Sequence, residues 1–413
     1  YDSNYWHALF DDFCFPDGSK PSWERVNVLQ KSFMKWFNKE RTRTMLTFPV
    51  ETMALLSNGS DIIDKEYKDF TAEMYAEGHS FFTYISDNPN GLASCCRLRN
   101  EIQENVFTFT NGLTGVQTGS ANVITLNLNR IIQNWAKERS LDREYLKENF
   151  FTLAPDFRHY LEEILDRVYK YHIAYKTLLY ETEKAGMLNA SKAGYIKMNK
   201  LYSTIGENGI NEAAEFIGLT CNYNKPYMEF CRLVTGTISE QNKAHSSKNF
   251  QFNQEFVPAE GLSSKNFNWD REEGYWVPEG RVLYNSYFYL ADDKETSVLD
   301  KFRLHGREFT ELLDGGVGLH CNLEEHLSKY QYLKLIDFAI EKGTSYFTFN
   351  VPNSECTNSS CHHIVKQPLD NCPKCGAPMR QWTRVIGFLR PVEDFDRFRY
   401  IEAQHRYYAK EVK

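Results

Sequence analysis

One segment, residues 122–139, changes its hydrophobic period within a few positions. It reads NVITLNLNRIIQNWAKER, in which apolar residues first alternate with polar ones and then recur every three or four residues. Alternation is typical of a β-strand with one buried face, and the longer spacing is typical of an amphipathic helix. A strand that runs directly into a helix is half of a βαβ unit, in which the next strand lies parallel to the first. The segment therefore predicts an α/β fold with parallel strands.

The same alternation continues along the chain. Helical spacing predicts helices at 22–42 (behind Ser22 as N-cap), 64–78, 155–186, 208–218, 225–246 and 323–342. Apolar runs predict strands at 46–56, 80–85, 197–206 and 345–352. We find no repeats and no low-complexity linker. The composition shifts once, near Pro352, where a short cysteine-rich stretch begins.

The composition excludes several classes of protein. With 413 residues, 42% of them hydrophobic, the chain is long enough to bury a large core. A formal net charge of −7 gives no basic footprint for a nucleic-acid partner. No apolar run approaches the ~18 residues that span a membrane, and the start of the chain does not resemble a signal peptide. The ten cysteines therefore predict a reducing cytoplasm, with metal-bound or catalytic thiols rather than disulfides.

Four of those cysteines form two closely spaced pairs. The pairs, separated by ten residues, are Cys356 with Cys361 and Cys372 with Cys375. Paired thiolates at this spacing supply the four soft ligands of a tetrahedral zinc ion. His362 and His363 can compete as ligands, although four thiols already complete the shell. We predict a structural zinc site, and the alternative is a nucleic-acid-binding zinc ribbon, for which the surrounding charge gives little support.

A single glycine, Gly387, interrupts the apolar run RVIGFL at 384–389, shortly after the second pair. Glycine weakens a strand because it adds backbone entropy to the unfolded chain and packs nothing, so a bulge is the ordinary interpretation. Glycine also suits a stored radical. A radical on its Cα is planar and is shared with the flanking amide nitrogen and carbonyl, and no side chain obstructs it.

This run, placed behind a four-cysteine site, resembles the glycyl radical motif of the anaerobic (class III) ribonucleotide reductases. A second resemblance lies in LASCCRLRN, where Cys96 precedes Arg97 and stands 291 residues before Gly387. The segments STIGENGINEAAEFIG, VPAEGLSSK and LYNSYF are also similar to segments of that family. The resemblance extends over nearly the whole chain, and the order and spacing of the motifs make it specific.

The resemblance implies a fold, part of a ten-stranded α/β barrel with a central finger loop that carries the radical cysteine. Three regions follow: a catalytic barrel portion at 1–351, a zinc-binding module at 352–380, and a glycyl radical loop with a C-terminal tail at 381–413. The resemblance also implies an oxidoreductase, an anaerobic ribonucleoside-triphosphate reductase that supplies deoxyribonucleotides for DNA synthesis.

The implied chemistry is a radical relay. An activating enzyme with an iron–sulfur cluster and S-adenosylmethionine installs the radical on Gly387. The radical passes to Cys96, whose thiyl radical abstracts the 3′ hydrogen of a ribonucleotide, and the 2′ hydroxyl then leaves as water. Formate or thioredoxin is the expected reductant.

Further site residues are less specific. Glu260, in a tight Pro-Ala-Glu-Gly loop, transfers a proton during water loss or is simply a solvated glutamate. Asn122 binds the substrate ribose or caps its strand. The stretch 203–214 contains a glycine-bearing turn directly before the N-terminus of a helix. Free N–H groups at a helix N-terminus bind phosphate, so this turn is either a phosphate-binding site or an ordinary connection between a strand and a helix. Its candidate substrate-binding residues are Ser203, Thr204 and Gly206.

Two departures from the family pattern leave alternatives open. Cys95 forms a vicinal pair with Cys96, so it either joins a thioredoxin-dependent redox step or is an inert neighbour. Adjacent cysteines also occur in pyruvate formate-lyase, which makes a carbon–carbon-cleaving glycyl radical enzyme the second candidate. A non-catalytic zinc-ribbon protein is the third.

Length is the second departure. Family members carry a long region before the point where this chain begins, so we expect a second polypeptide or further segment that completes the barrel. We also expect the homodimer that is usual in the family. Effector regulation is not assigned to this chain.

Overall fold

The structure, a computed structural model, describes residues 1–89, 91–93, 99–101, 119–256, 261–385, 387–410 and 412. Its strands are β1 Thr52–Leu56, β2 Phe82–Ser86, β3 Gly91–Ala93, β4 Arg99–Glu101, β5 Gly119–Asn127, β6 Leu201–Asn208, β7 Gln251–Glu255, β8 Leu319–Asn322, β9 Tyr346–Asn350, β10 Asn353–Cys356, β11 Ile364–Val365, β12 Met379–Arg384 and β13 Leu389–Pro391.

The helices are α1 Ser3–Phe10, α2 Trp23–Glu40, α3 Lys65–Ala76, α4 Leu128–Glu138, α5 Arg143–Lys184, α6 Asn189–Lys192, α7 Ile210–Phe216, α8 Lys225–His245, α9 Leu262–Glu272, α10 Val298–Leu304, α11 Arg307–Thr310, α12 Lys329–Lys342 and α13 Arg397–His405. Two short 3-10 helices lie at Met198–Lys200 and Val392–Asp394. Among the described residues, none of these helices combines the length and the apolar character needed to cross a bilayer.

The chain divides into two compact units. The first consists of residues 1–96, 291–307 and 318–413, and the second of 97–290 and 308–317. Each unit contains parallel strands joined by helices, which confirms the predicted α/β class. The ten-stranded barrel stays a prediction.

The first unit is built on a mixed sheet with the strand order β1-β2-β9-β8. The outer pairs, β1 with β2 and β8 with β9, are parallel, whereas β2 and β9 are antiparallel. Both central strands are buried along their whole length, so their aromatic residues pack on both faces of the sheet. Phe82 stacks on Tyr346 with ring centroids 4.9 Å apart, and Tyr75 of α3 stacks on Phe81 at 4.0 Å.

A second, antiparallel sheet follows in the same unit, with the strand order β11-β10-β12-β13. Strand β10 begins only three residues after β9 ends, so the cysteine-rich stretch continues directly from the mixed sheet. This small sheet carries both the four predicted zinc ligands and the hairpin with Gly387.

The second unit contains three parallel strands in the order β5-β6-β7. Helices α4 and α5 connect β5 to β6, and helices α7 and α8 connect β6 to β7. The long helices α5 and α8 pack against each other and against this sheet. The 122–139 segment thus forms the strand and helix that its change of period predicts.

Two helices begin elsewhere than predicted. Helix α5 starts at Arg143, so the prediction of a start at Pro155 is wrong, and the proline lies inside the helix. A proline there costs roughly 3 kcal/mol because its N–H is missing. The turns before it bury Phe150 against Phe157 and Trp135, at ring distances of 5.7 and 6.0 Å, and this burial offsets the cost.

Helix α12 starts at Lys329, so the predicted start at 323 is also wrong. Ser328 and Gln331 form a capping box, which satisfies free N–H groups at that point. Leu323 instead pairs in a short β-bridge with Ala409.

Glu207, near the end of β6, is a fully buried carboxyl group. Neither of its oxygens has a hydrogen-bond partner among the residues that the structure describes. Burial raises the pKa of Glu207 well above its ordinary value, and the nearby Asp314 raises it further. The folded protein therefore holds this carboxyl in its protonated, neutral form.

We predict that Glu207→Gln makes the free energy of unfolding less dependent on pH. The unfolded chain loses this proton near pH 4.5 and the folded chain keeps it to a much higher pH, so the folded state binds the extra proton between those values. Stability then falls as pH rises, by up to about 1.4 kcal/mol per pH unit. Denaturant unfolding from pH 5 to 8 measures this slope, and the exposed Glu240→Gln is the control. Equal slopes in Glu207→Gln and the wild type would contradict it.

Candidate functional site

The four predicted zinc ligands lie together. The Sγ atoms of Cys356, Cys361, Cys372 and Cys375 are all within 4.8 Å of one another. Two of these distances are 3.5 Å, between Cys356 and Cys375, and 3.8 Å, between Cys361 and Cys372. A tetrahedral zinc ion with Zn–S bonds of ~2.3 Å requires sulfur atoms ~3.8 Å apart. The donor set and its spacing therefore fit zinc.

Backbone turns hold the thiols in place. The N–H of Cys372 donates to the carbonyl of Ala377 at 2.8 Å, and Gly376 closes the second pair with a φ of +74°, a left-handed conformation that glycine adopts without strain. The N–H of Cys356 donates to the carbonyl of His363 at 2.8 Å. Within the described residues, the metal-ligating cluster contains only the four cysteines and neither His362 nor His363.

The metal centre is joined to the glycine by a single strand. Cys356, at the end of β10, pairs with Met379, the first residue of β12. Strand β12 then runs from the cysteine cluster to Arg384, three residues before Gly387. A metal ion bound by the four thiols would fix the start of this strand and, through the strand, the position of the glycine.

Gly387 lies in the turn of a β-hairpin formed by β12 and β13. Arg384 pairs with Leu389 at its base, and the N–H of Val385 donates to the carbonyl of Phe388 at 3.0 Å across the turn. Gly387 is buried. Phe388 packs on Phe48, with ring centroids 5.1 Å apart.

A buried cation supports the hairpin from within. The Arg384 guanidinium is 2% exposed, and its Nη1 donates to the carbonyl oxygen of Gly387 at 2.6 Å. Its Nη2 donates to Ser80 Oγ at 2.7 Å, and the group lies over the Phe82 ring at 4.5 Å. Burial lowers the pKa of Arg384 to about 10, and the nearby Arg41 lowers it as well, so the group stays charged at neutral pH.

The C-terminal segment contacts the same hairpin. Arg406 Nη1 donates to the carbonyl of Arg384 at 2.7 Å. The Thr383 hydroxyl lies 3.0 Å from the Tyr408 hydroxyl and 3.1 Å from the Asn350 amide nitrogen, which donates to it. Residues from β9, the hairpin and the C-terminal segment therefore form one hydrogen-bonded cluster below the glycine.

The candidate substrate residues lie on the parallel sheet of the second unit. Asn122 pairs in register with Ser203, and its Oδ1 lies 3.1 Å from Nδ1 of the buried His172 in α5. Burial lowers the pKa of His172 to about 4, so its ring is neutral. The Ser203 hydroxyl is buried without a partner among the described residues, and the Thr204 hydroxyl lies 3.0 Å from that of Ser120.

Gly206 lies inside β6, because the strand continues to Asn208. A Cβ at this position would come within 2.6 Å of Thr125 Oγ1, so only glycine leaves room for that hydroxyl. The turn before α7 lies further along, at Gly209, which has a φ of +79°. Its N–H already donates to the carbonyl of Asn285 at 3.2 Å. Ser203, Thr204 and Gly206 are therefore strand residues, and phosphate binding stays a prediction.

Comparison with protein families finds one match, to the model described as anaerobic ribonucleoside-triphosphate reductase, over residues 18–408. The chain belongs to this family. A comparison with curated proteins gives no match.

Solved structures of anaerobic reductases are similar to this family member. A structure titled anaerobic ribonucleotide reductase is 27% identical, with a TM-score of 0.82 over 99% of this chain and 63% of that chain. The Thermotoga maritima enzyme with MES in its active site is 28% identical, with a TM-score of 0.78 over 96% and 63%. The same enzyme in complex with dATP and CTP is 26% identical, with a TM-score of 0.78 over 98% and 64%. The chain thus spans less than two thirds of the relatives it matches.

Three predicted catalytic residues lie outside the described residues, namely Cys95, Cys96 and Glu260. Their roles stay predictions. The same holds for the role of Gly387, although its place in a buried hairpin is clear.

Sequence reasoning missed Arg384, which lies in the hairpin and donates to the Gly387 carbonyl, and Ser80, which accepts a hydrogen bond from Arg384. Arg384 begins the RVIGFL run, and its position directly beside an apolar segment was the sequence feature that could have indicated a buried cation. Its partner could not be found from the sequence because Ser80 lies 304 residues away.

We predict that the purified chain contains one zinc ion and that Cys361→Ser lowers both the zinc content and the Tm. Losing one thiolate of four weakens a site whose binding free energy also stabilises the fold. Amide exchange in β12 and β13 should become faster, because β12 begins four residues after Cys375. Metal analysis and hydrogen exchange measure these effects.

His363→Ala is the matched control, since its ring is outside the cluster. Full zinc content in Cys361→Ser, or an equal loss in His363→Ala, would show that the ligand assignment is wrong.

Proposed function

We propose that this chain is the catalytic portion of an anaerobic ribonucleotide reductase that converts ribonucleoside triphosphates to deoxyribonucleotides. Gly387 stores the radical, and Cys96 carries it to the substrate. The activity is oxygen-sensitive, and the product serves DNA synthesis.

The observation that carries this proposal is the buried Gly387 at the hairpin directly behind a four-thiol metal site, in a chain of this family. A stored radical requires protection from water and oxidants, and the burial of Gly387 supports such protection. A zinc ribbon without catalysis requires the four thiols but no glycine hairpin, so it accounts for less of this arrangement. The family match also favours a reductase over a carbon–carbon-cleaving enzyme.

The proposed steps use the predicted residues in turn. The Gly387 radical takes a hydrogen atom from the Cys96 thiol, and the resulting thiyl radical takes the 3′ hydrogen of the ribose. Glu260 assists proton transfer as the 2′ hydroxyl leaves as water. Two electrons come from formate, which becomes carbon dioxide, or from a dithiol, which becomes a disulfide. Cys96 then returns the hydrogen atom to the sugar.

Substrate binding is proposed on the parallel sheet of the second unit. Asn122 contacts the ribose, and Ser203, Thr204 and Gly206 contribute to the substrate surface. The buried His172 at 3.1 Å from the Asn122 amide supports a fixed orientation of that side chain. The nucleotides named for the Thermotoga maritima enzyme, dATP and CTP, are consistent with a nucleotide ligand.

Partners follow from the chemistry. A radical-S-adenosylmethionine activating enzyme with an iron–sulfur cluster removes one hydrogen atom from Gly387. Formate or thioredoxin is the reductant, and the active form is a homodimer.

We predict that anaerobic treatment with an activating enzyme of the class III system gives an electron paramagnetic resonance doublet that Gly387→Ala abolishes. A glycyl radical retains one hydrogen on Cα, and coupling to this hydrogen splits the signal in two. Alanine has a single Cα hydrogen, so a radical at that position would retain none and would give no such doublet. Exposure to air should then cleave the activated chain at Gly387, which mass spectrometry detects. A doublet that persists in Gly387→Ala would place the radical on another residue.

We predict that Cys96→Ser retains the glycyl doublet but forms no deoxyribonucleotide. A serine O–H bond is too strong for a glycyl radical to break, so the radical is stored but not used. The intensity of the doublet measures radical storage. Anaerobic deoxyribonucleotide formation, assayed once with formate and once with thioredoxin, measures use of the radical.

The adjacent Cys95→Ser is the matched variant. It separates the two roles left open for Cys95, because only a redox partner loses thioredoxin-dependent turnover. Turnover by Cys96→Ser at the wild-type rate would refute the assignment of the thiyl radical.

A further inference from the structure

The Arg384 side chain turns back onto its own hairpin. It is the last residue of β12, and its Nη1 donates to the carbonyl oxygen of Gly387, three residues on, at 2.6 Å. Surface arginines lose most of such an interaction to water, but this one is 2% exposed. A charged donor at this distance in a dry environment is among the stronger hydrogen bonds that proteins form.

The guanidinium is itself held from other directions. Ser80 Oγ accepts from Nη2 at 2.7 Å, and the Phe82 ring lies 4.5 Å from the guanidinium carbon. Among the described residues, the Nε atom of Arg384 has no hydrogen-bond partner. The hydrogen bonds of this guanidinium therefore go to the Gly387 carbonyl and the Ser80 hydroxyl. The donor therefore cannot move away from the glycine without losing both contacts.

The chemistry of a glycyl radical gives this contact a consequence. When Gly387 loses a hydrogen atom from Cα, the unpaired electron is shared between Cα, the amide nitrogen that donates electron density and the carbonyl that accepts it. A positive hydrogen-bond donor at the carbonyl oxygen favours the form with more electron density on that oxygen. It thereby increases the sharing and lowers the energy of the radical relative to the intact glycine.

We propose that Arg384 is a positioning residue for the radical, which holds the Gly387 carbonyl in the plane of the radical and draws spin density from Cα onto that carbonyl. This inference rests on the proposed storage of the radical at Gly387. Arg384 thereby sets two properties of the radical: its stability relative to intact glycine, and the fraction of its spin density that leaves Cα.

A second buried arginine provides a matched control. Arg41 is 6% exposed and donates from Nη1 to the carbonyl of Ser80 at 2.8 Å. Burial lowers the pKa of Arg41 to about 10, much as it does for Arg384. Arg41 thus has the same charge, similar burial and the same neighbouring serine, but its recorded hydrogen bonds go to Leu46, His79 and Ser80 rather than to Gly387.

The test compares wild type, Arg384→Gln, Arg384→Lys and Arg41→Gln after anaerobic activation. The readout is the doublet splitting, which reports spin density on Cα, together with the spins per chain. Arg384→Gln should widen the splitting and lower the radical yield, because less spin reaches the carbonyl. Arg384→Lys keeps the charge and should fall between Arg384→Gln and wild type. Arg41→Gln should show the wild-type splitting, since a purely structural effect of losing a buried arginine does not change the spin distribution.

A measurement on the unmodified protein covers the case in which Arg384→Gln fails to fold. Pulsed electron–nuclear double resonance on wild type with ¹⁵N-labelled arginine should detect a weak nitrogen coupling and an exchangeable proton coupled to the radical. A wild-type doublet without either coupling, or an unchanged splitting in a folded Arg384→Gln, overturns the inference about Arg384. Absence of the doublet in wild type instead overturns the proposed function on which it rests.

Discussion

The antiparallel pairing of β10 with β12 connects the four-cysteine cluster to the glycine, and the rest of the candidate site depends on this pairing. Cys356 and Met379 are opposite one another in this pairing, so the thiol cluster and the start of β12 are fixed together. The strand then leads to the hairpin that buries Gly387. A metal ion bound by the four thiolates would add a rigid constraint to this small sheet, beside the apolar clusters around Ile364 and Met379.

The second constraint is the cost of burying charge. Arg384 remains protonated although burial lowers its pKa, so each of its N–H groups requires an acceptor. The carbonyl of Gly387 and the hydroxyl of Ser80 meet part of this requirement. The result is that a desolvated cation, rather than apolar packing alone, determines the geometry of the glycine turn.

Both units contain buried polar side chains, some joined by hydrogen bonds and some without a partner among the described residues. Around the hairpin, Asn350, Thr383 and Tyr408 are joined by hydrogen bonds. On the parallel sheet, Glu207 and Ser203 are buried without partners among the described residues. Buried polar groups without partners cost stability, so each of them has to be offset by packing elsewhere in the fold.

The sequence by itself indicated the α/β class, the longest helices, the strands β1, β2, β5, β6 and β9, the four clustered cysteines and the family. These depend on periodicity, on ligand spacing and on short motifs, all of which are local along the chain. The start of α5 was mispredicted because proline is unfavourable in an isolated helix, whereas burial of Phe150 against Trp135 outweighs that local preference. The end of β6 was placed two residues too early for a related reason: glycine is unfavourable inside a strand, but Gly206 is required there because a Cβ would contact the Thr125 hydroxyl. Only the tertiary structure decided that the Arg384 side chain is buried and bound to the hydroxyl of Ser80, because a hydrogen bond between residues 304 positions apart depends on the fold and leaves no periodic signal in the chain.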